Sequence, residues 1–263
     1  LSVEGLYLVD RNLIALTSTA WWGRHGDRFA RPEGWLNQSV GLESFDLDDG
    51  FAARHSFRVE GALVNSRRTE AGIFLVTRHT PAIDGLIYYP ASQEEVDQNQ
   101  NLLEALEPED FLPVIERDGE VVTPVTYDQC YAINPEDDAA PEARGNPILT
   151  LVLQIDPDSA EVIDAMCLLE SIEGVYLTTT SLYFTSGLYE IGEAETLIHQ
   201  FQLEDGLPYA GSTRLLGGLF LGGNRDYRLN ENGRTLRTVL TRWTNDVDDR
   251  IDHTLYVLEP ASD

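Results

Sequence analysis

Two runs of closely spaced aspartates are the residues of this chain best suited to binding a metal ion. Calcium takes six to eight oxygen ligands, which clustered carboxylates and nearby backbone carbonyls can supply. Neither run is followed by the bidentate glutamate that completes an EF-hand loop, so the alternative is that both are solvated turns between strands. The candidate calcium ligands are Asp46, Asp48 and Asp49 in the first run and Asp246, Asp248, Asp249 and Asp252 in the second.

A group of aromatic and arginine side chains is the second candidate, as a ligand surface. Trp21 and Trp22 are adjacent, and Trp35 follows in an Arg- and Gly-rich stretch. Neighbouring residues of a strand point to opposite faces, so both tryptophans cannot enter one core if a strand runs through them. The alternative is a packed loop between repeats. The same alternation predicts that one of Arg67 and Arg68 faces the core or the central channel, where it needs a carboxylate partner.

No sequence motif for catalysis is present. The five histidines form no H-E-x-x-H pair, so no zinc site is predicted. We expect His55 and His79 on neighbouring strands of one sheet, in structural hydrogen bonds. There is no G-x-S-x-G motif, and the stretch Gly217–Gly223 lacks the Lys and Ser/Thr of a phosphate loop. We therefore predict no catalytic residue and no cofactor, with calcium as the one candidate.

The charge of the chain limits its partners. Its 263 residues include 45 acidic and 18 basic ones, for a net charge of -27, and every basic residue is arginine. Such a surface repels phosphate backbones and anionic lipid, which argues against nucleic-acid and membrane-surface binding. Salt relieves the self-repulsion of so acidic a surface, which suggests a marine or halophilic source; the alternative is acidity that serves solubility alone. No segment has the apolar length of a transmembrane helix.

The elements that must position these residues are strands that recur in a repeat. Four segments alternate apolar and polar residues and end in acidic or turn residues: Leu42–Asp49, Leu149–Asp156, Thr196–Asp205 and Thr254–Pro260. Similar strands follow each copy, and the copies lie roughly 40–55 residues apart once one insertion is removed. This spacing is typical of four-stranded propeller blades. We predict an all-β β-propeller of about four blades or partial blades over residues 1–263, as one domain or fragment, in preference to a β-sandwich.

The insertion spans residues 81–147 and contains the strongest helical pattern, from Ser92 to Leu106. Ser92 followed by Glu95 forms a capping box that starts a helix. Because long insertions between repeats often carry function, this segment is a candidate binding element. A flap that only packs on the propeller is the alternative.

Several segments of the chain have a recognisable pattern: Leu63–Arg68 with Arg78–Ser92, Leu197–Gly206 and Tyr227–Gly233. In these segments the chain resembles a family of bacterial secreted proteins with a C-terminal, uncharacterised β-propeller domain, and the resemblance extends from about Leu42 to Pro260. It implies a propeller fold and a secreted, periplasmic or cell-envelope location. Because the chain opens with Leu1 and its ends look cut through repeats, we expect a mature form or a piece of a longer polypeptide.

The two cysteines, Cys130 and Cys167, are the remaining chemical feature. Both could be buried free thiols. If the protein is exported, a disulfide between them is the expected state, and the family resemblance implies the same pairing.

These observations predict an exported β-propeller module that binds a protein or polymer such as a polysaccharide and has no catalytic activity. The alternative is a hydrolase or lyase with a calcium ion in its central channel.

Overall fold

A computed structural model shows that strands form most of the chain. The structure describes residues 1–19, 38–81, 83–87, 90–132, 148–170, 172, 174–190, 193–203, 207–219, 228–243 and 251–259. In chain order the strands are β1 (Ser2–Val9), β2 (Asn12–Ser18), β3 (Ser39–Asp46), β4 (Ala52–Glu60), β5 (Ala62–Thr69), β6 (Gly72–His79), β7 (Ile115–Arg117), β8 (Glu120–Val122), β9 (Cys130–Tyr131), β10 (Leu149–Ile155), β11 (Val162–Leu168), β12 (Gly174–Leu177), β13 (Ser181–Glu190), β14 (Glu193–Gln202), β15 (Tyr209–Leu216), β16 (Leu229–Asn232), β17 (Thr235–Trp243) and β18 (Ile251–Leu258). One helix, α1 (Gln93–Glu104), lies between β6 and β7.

The chain divides into two compact units, Leu1–Ser171 and Ile172–Asp263. Unit 1 contains two sheets. The first is an antiparallel meander extended by a hairpin, in the order β1-β2-β3-β4-β7-β8, and the second has the order β5-β6-β10-β11-β9. In the second sheet only the short strand β9 runs parallel to its neighbour, β11.

A single glycine connects the two sheets of unit 1. Gly61 joins β4 to β5 at a φ of +123°, and a Cβ at this position would lie 2.6 Å from the carbonyl oxygen of Arg78. A residue with a side chain would therefore clash with backbone as well as adopt a disfavoured conformation. Glycine is what lets the chain leave one sheet and enter the next within one residue.

Apolar residues from both sheets and from the insertion form one core in unit 1. Its members are Val9, Ile14, Leu16, Val40, Leu42, Phe57, Val59, Ile73, Leu75, Ile115, Val125, Leu149, Leu151, Leu153, Ile155, Ala160, Ala165 and Cys167. Ile115 and Val125 belong to the insertion, so part of that segment is built into the core and is not a free loop.

Unit 2 repeats the plan with fewer strands. One sheet has the order β12-β13-β14-β15, and the other has the order β16-β17-β18. A second core fills this unit, and its buried members are Tyr183, Ile198, Leu215, Leu219, Leu229, Leu236 and Leu240.

The four repeated segments occupy equivalent places in the four sheets. Leu42 lies on β3, Leu149 on β10, Thr196 on β14 and Thr254 on β18, and each of these is the third strand of its own antiparallel series. The repeat read from the sequence is therefore a structural repeat.

The helix begins where the capping pattern predicts. Ser92 is the N-cap, and its hydroxyl accepts a hydrogen bond from the Glu95 amide at 3.3 Å. The Glu95 carboxylate accepts from the amide of Ala91, one residue before the cap. No residue of α1 is buried, and Asn99 ties the helix to the chain before it by bonding both the N–H and the C=O of Ile87. No helix among the described residues is long and apolar enough to cross a membrane.

Candidate functional site: a cleft at the insertion

The insertion extends the first sheet of unit 1 at its edge. Strand β7 pairs antiparallel with β4, with Phe57 opposite Arg117 and Val59 opposite Ile115. The hairpin from β7 to β8 turns through Asp118 and Gly119, both at positive φ, as a two-residue hairpin turn requires. The hairpin covers the edge of β4 and becomes a new edge of the sheet.

A disulfide fastens the other end of the insertion to the second sheet. Cys130 on β9 is bonded to the buried Cys167 on β11, with their Cα atoms 4.4 Å apart. The short strand β9 pairs with β11 at these cysteines, and the amide of Leu169 donates to the carbonyl of Tyr131 at 2.8 Å. The predicted pairing of the two cysteines is confirmed.

Between these two attachments lies a cleft, which we call the insertion cleft. Its volume is about 290 Å³, near the lower end of the roughly 300–1,000 Å³ that is usual for small-ligand pockets. It is lined by Phe57, Arg117, Val122, Thr123, Pro124, Ala160, Glu161 and Val162. Apolar side chains with a few polar groups are the usual composition of a binding pocket.

An ion pair spans the cleft. The guanidinium of Arg117, on β7, donates to the carboxylate of Glu161, in the turn before β11, at 2.8 Å. Both side chains are partly exposed, so the pair contributes little to stability. It positions one cationic and one anionic group at the cleft, where each can exchange its partner for a ligand group at small cost.

The hairpin turn is held by a second contact. The Asp118 carboxylate accepts one hydrogen bond from the Ser56 amide at 2.8 Å and contacts the His55 ring at 3.1 Å. The Ser56 amide, followed by the His55 ring, lowers the pKa of Asp118 below its ordinary value because both contacts stabilise the carboxylate. The hairpin therefore carries a carboxylate that stays ionised under mild acid.

Large apolar side chains are exposed on the elements that form the cleft. Val121 is 68% exposed, Tyr127 is 50% exposed and Ile163 is 51% exposed. Val121 and Ile163 follow or precede the lining residues Val122 and Val162 on their strands, so their side chains point to the opposite faces of the sheets. The apolar groups at the cleft itself are therefore those of its lining.

The repeated sheets agree with a comparison with known families. The family model described as the beta propeller domain matches residues 1–263. This chain belongs to that family. No curated protein matches it. The four sheets are accordingly propeller blades or partial blades, and the insertion cleft lies where the insertion rejoins the first two of them.

The first aspartate run of this beta propeller domain lies in the turn after β3. Asp46 accepts hydrogen bonds from the amides of Asp48 and Asp49 at 2.8 and 3.4 Å, and Asp48 forms an ion pair with Arg11. Asp156 forms the same turn in the second blade, where the Ser159 and Asp158 amides lower its pKa. The first aspartate run therefore holds the turn through hydrogen bonds and an ion pair, while calcium binding there stays a prediction.

The second aspartate run is described only in part. Asp252 lies on β18 and pairs with Arg242 at 3.3 Å. Asp246, Asp248 and Asp249 lie outside the described residues. Among the residues that are described, no group of three or more His, Cys, Asp or Glu side chains could hold a metal ion.

The predicted ligand surface is described only in part. Trp21, Trp22 and Trp35 lie outside the described residues. Arg67 and Arg68 are both exposed, so neither enters the core, and a position of one of them facing the central channel stays a prediction. Their strand, β5, is an edge strand, and Arg68 donates to the backbone carbonyl of Leu8 on β1 at 3.2 Å.

The prediction that His55 and His79 lie on neighbouring strands of one sheet is wrong. His55 lies on β4 in the first blade, whereas His79 lies on β6 in the second, because Gly61 carries the chain from one sheet to the next. His79 is 5% exposed, and burial lowers its pKa to about 4. His55 instead contacts Asp118 beside the insertion cleft.

A polar network in unit 2 is satisfied internally. The hydroxyls of Ser181 and Tyr183 both donate to the Glu231 carboxylate at 2.7 Å. Burial, followed by the bond to Glu231, raises the pKa of Tyr183. With these contacts made within the unit, the network is better explained as structural than as a binding site.

Sequence reasoning missed the residues of the insertion cleft. Val122, Ala160 and Val162 come from distant parts of the chain and meet only through strand pairing. One local signal was present, since Asp118-Gly119 between short apolar-alternating stretches is a hairpin signature.

A repeated threonine was missed as well. The second strand of every blade contains an apolar residue followed by a buried threonine. The pairs are Leu16-Thr17, Val76-Thr77, Phe184-Thr185 and Leu240-Thr241. Aligning second strands, in addition to third strands, would have revealed it.

Proposed function

We propose that this beta propeller domain is an exported, non-catalytic binding module that holds a protein or polymer group in the insertion cleft. The observation that carries the proposal is the cleft itself, which two blades and the insertion form together, with a mixed apolar and polar lining and one ion pair. The disulfide that fixes one wall supports work in an oxidising compartment, where such bonds persist.

Two features favour binding over catalysis. The titratable groups at and beside the cleft are paired with one another, Arg117 with Glu161 and Asp118 with His55. The walls are fixed by strand pairing on one side and by the Cys130–Cys167 bond on the other. A rigid, largely preformed cleft binds at low conformational cost.

A fluorescent reporter in the cleft tests the proposal. The described residues contain no free cysteine, so Thr123→Cys can carry an environment-sensitive dye, and Thr179→Cys in unit 2 is the matched control at an exposed threonine. The probes are a panel of short synthetic peptides and a panel of neutral and charged oligosaccharides. With at least one panel we expect a saturable change in dye fluorescence when the dye is at position 123 and no change when it is at position 179. No change, or equal changes at both positions, would refute the proposal.

A further inference from the structure

The insertion presents the open edge of its own strand β8 beside the cleft. Strand β8 is the last strand of the first blade, and among the described residues no strand pairs with it on its far side. An open strand edge presents N–H and C=O groups that can pair with another chain. The insertion covers the edge of β4 with β7 and part of the edge of β11 with β9. The open edge of β8 is therefore contributed by the insertion and not by the blades.

The register of the hairpin shows which backbone groups are available. Arg117 is paired with Glu120 across the two-residue turn, and Glu116 is paired with Val121. In such a hairpin the pair next to the turn exchanges hydrogen bonds and the following pair does not. The N–H and C=O of Val121 therefore point away from β7, toward the open side.

The side chains of β8 place the cleft next to this edge. Val122 lines the cleft, whereas the neighbouring Val121 is on the opposite face of the sheet and is exposed. A strand added to β8 would direct every second side chain over the cleft. An apolar side chain there would lie close to Val122, Pro124 and Val162.

The charge around this edge is negative. The hairpin carries Glu116, Asp118 and Glu120, and Glu161 lies across the cleft. The cation of the lining, Arg117, is already paired with Glu161. Against this background and a net charge of -27, a cationic partner is favoured and an acidic one is repelled.

We propose that the insertion cleft receives an extended peptide that adds as a strand to the edge of β8. The peptide alternates arginine or lysine with apolar residues, and one apolar side chain enters the cleft. Backbone pairing supplies affinity, and the cleft and the acidic hairpin supply specificity. The proposal rests on the cleft being a binding site, as proposed above.

The test uses a fluorescein-labelled peptide of sequence Arg-Val-Arg-Leu-Arg-Val-Arg and the whole protein. Fluorescence anisotropy is measured with this peptide and with two versions N-methylated at alternate amides, one for each set of amides. N-methylation removes donors and leaves charge and side chains unchanged. We expect the affinity for the unmodified peptide to fall as ionic strength rises. We also expect one of the two methylated versions to bind at least about tenfold more weakly.

A protein variant gives the reciprocal test. Val121→Pro removes the outward N–H, and proline is tolerated on edge strands. We expect it to weaken peptide binding by at least about tenfold, while Val121→Thr, which keeps the N–H, binds like the wild type. Far-UV circular dichroism checks whether each variant folds. If Val121→Pro does not fold, the comparison of the N-methylated peptides decides whether a strand is added.

The outcomes separate this proposal from the cleft function. Equal binding of all three peptides would overturn strand addition while the Thr123→Cys reporter still responds. A reporter response to oligosaccharides alone would overturn the peptide proposal and leave the cleft function standing. Protein dimers that Val121→Pro abolishes, with no peptide binding, would identify a second copy as the occupant instead. A silent reporter with every probe would overturn both.

Discussion

Acid should destabilise unit 1 through one buried histidine. His79 is 5% exposed near the end of β6, opposite Leu149 on β10, and burial lowers its pKa from 6.5 to about 4. In the unfolded chain the same ring titrates at its ordinary value. Between these two pKa values the unfolded state binds a proton that the folded state does not. Folding stability due to this group is therefore complete above the unfolded pKa and falls as pH drops toward the folded pKa.

The size of the effect follows from the two pKa values. The full difference, from 6.5 to about 4, corresponds to about 3 kcal/mol, of which about 2 kcal/mol is lost between about pH 8 and about pH 5. Because most carboxylates are still ionised at about pH 5, His79 dominates the change in the free energy of unfolding over this range.

The assay compares the wild type with His79→Gln, which has a similar volume and does not titrate. Hydrogen–deuterium exchange of peptides that cover β6 and β10 reports the free energy of opening in unit 1 at each pH. We expect the wild type to lose about 2 kcal/mol and the variant to lose much less. His253→Gln, on β18 in unit 2, is the matched control and should leave the acid-induced loss in place.

Two results would refute this reasoning. One is an equal loss in the wild type and in His79→Gln, which would place the acid sensitivity elsewhere. The other is a wild type with no loss in this range, which would mean that the imidazole is solvated or paired when protonated.

Three further predictions concern stability. Replacing both Cys130 and Cys167 with alanine should lower the free energy of unfolding by about 4 kcal/mol, since the bond closes a loop with a sequence separation of 37; urea unfolding with and without reductant measures this, and a change below about 1 kcal/mol would contradict it. Gly61→Ala should cost about 2–3 kcal/mol because its Cβ meets the Arg78 carbonyl at a positive φ; an unchanged urea midpoint would show that the link between the sheets can relax. Asp46→Asn keeps the oxygen that accepts the turn amides, so its melting temperature in calcium-free buffer should match the wild type within a few degrees; calcium-dependent stabilisation of the wild type that is lost in the variant would instead identify the run as a calcium ligand.

The repeat could be predicted from the sequence because it is local. Third strands such as Leu149–Ile155 and Thr196–Gln202 carry their own alternation of apolar and polar residues, and turn residues mark where they end. The start of α1 was predictable for the same reason, since Ser92 and Glu95 are three residues apart.

Sheet membership is a non-local property and was not predictable in the same way. One strand, β5, lies between the strands of His55 and His79, and the alternation on these strands does not reveal that Gly61 ends one sheet and begins another. Neither Arg67 nor Arg68 enters the core, because alternation places a side chain on a face without showing whether that face is covered.

The insertion cleft was hidden for a related reason. Its walls depend on β7 pairing with β4 and on β9 pairing with β11, which connect segments far apart in the chain. The sequence indicated the link between β9 and β11, because Cys130 and Cys167 are the two cysteines in the chain and a disulfide between them was the expected state of an exported protein. Nothing comparable marked the first connection.

The central claim is that the insertion cleft is where this beta propeller domain binds its ligand, and filling the cleft tests it most directly. Thr123→Trp places a large side chain among the lining residues, and Thr179→Trp places the same side chain on an exposed turn of unit 2. Anisotropy of the labelled Arg-Val-Arg-Leu-Arg-Val-Arg peptide should show binding by the wild type and by Thr179→Trp and a loss of at least about tenfold in Thr123→Trp. Equal binding by all three proteins would contradict the claim.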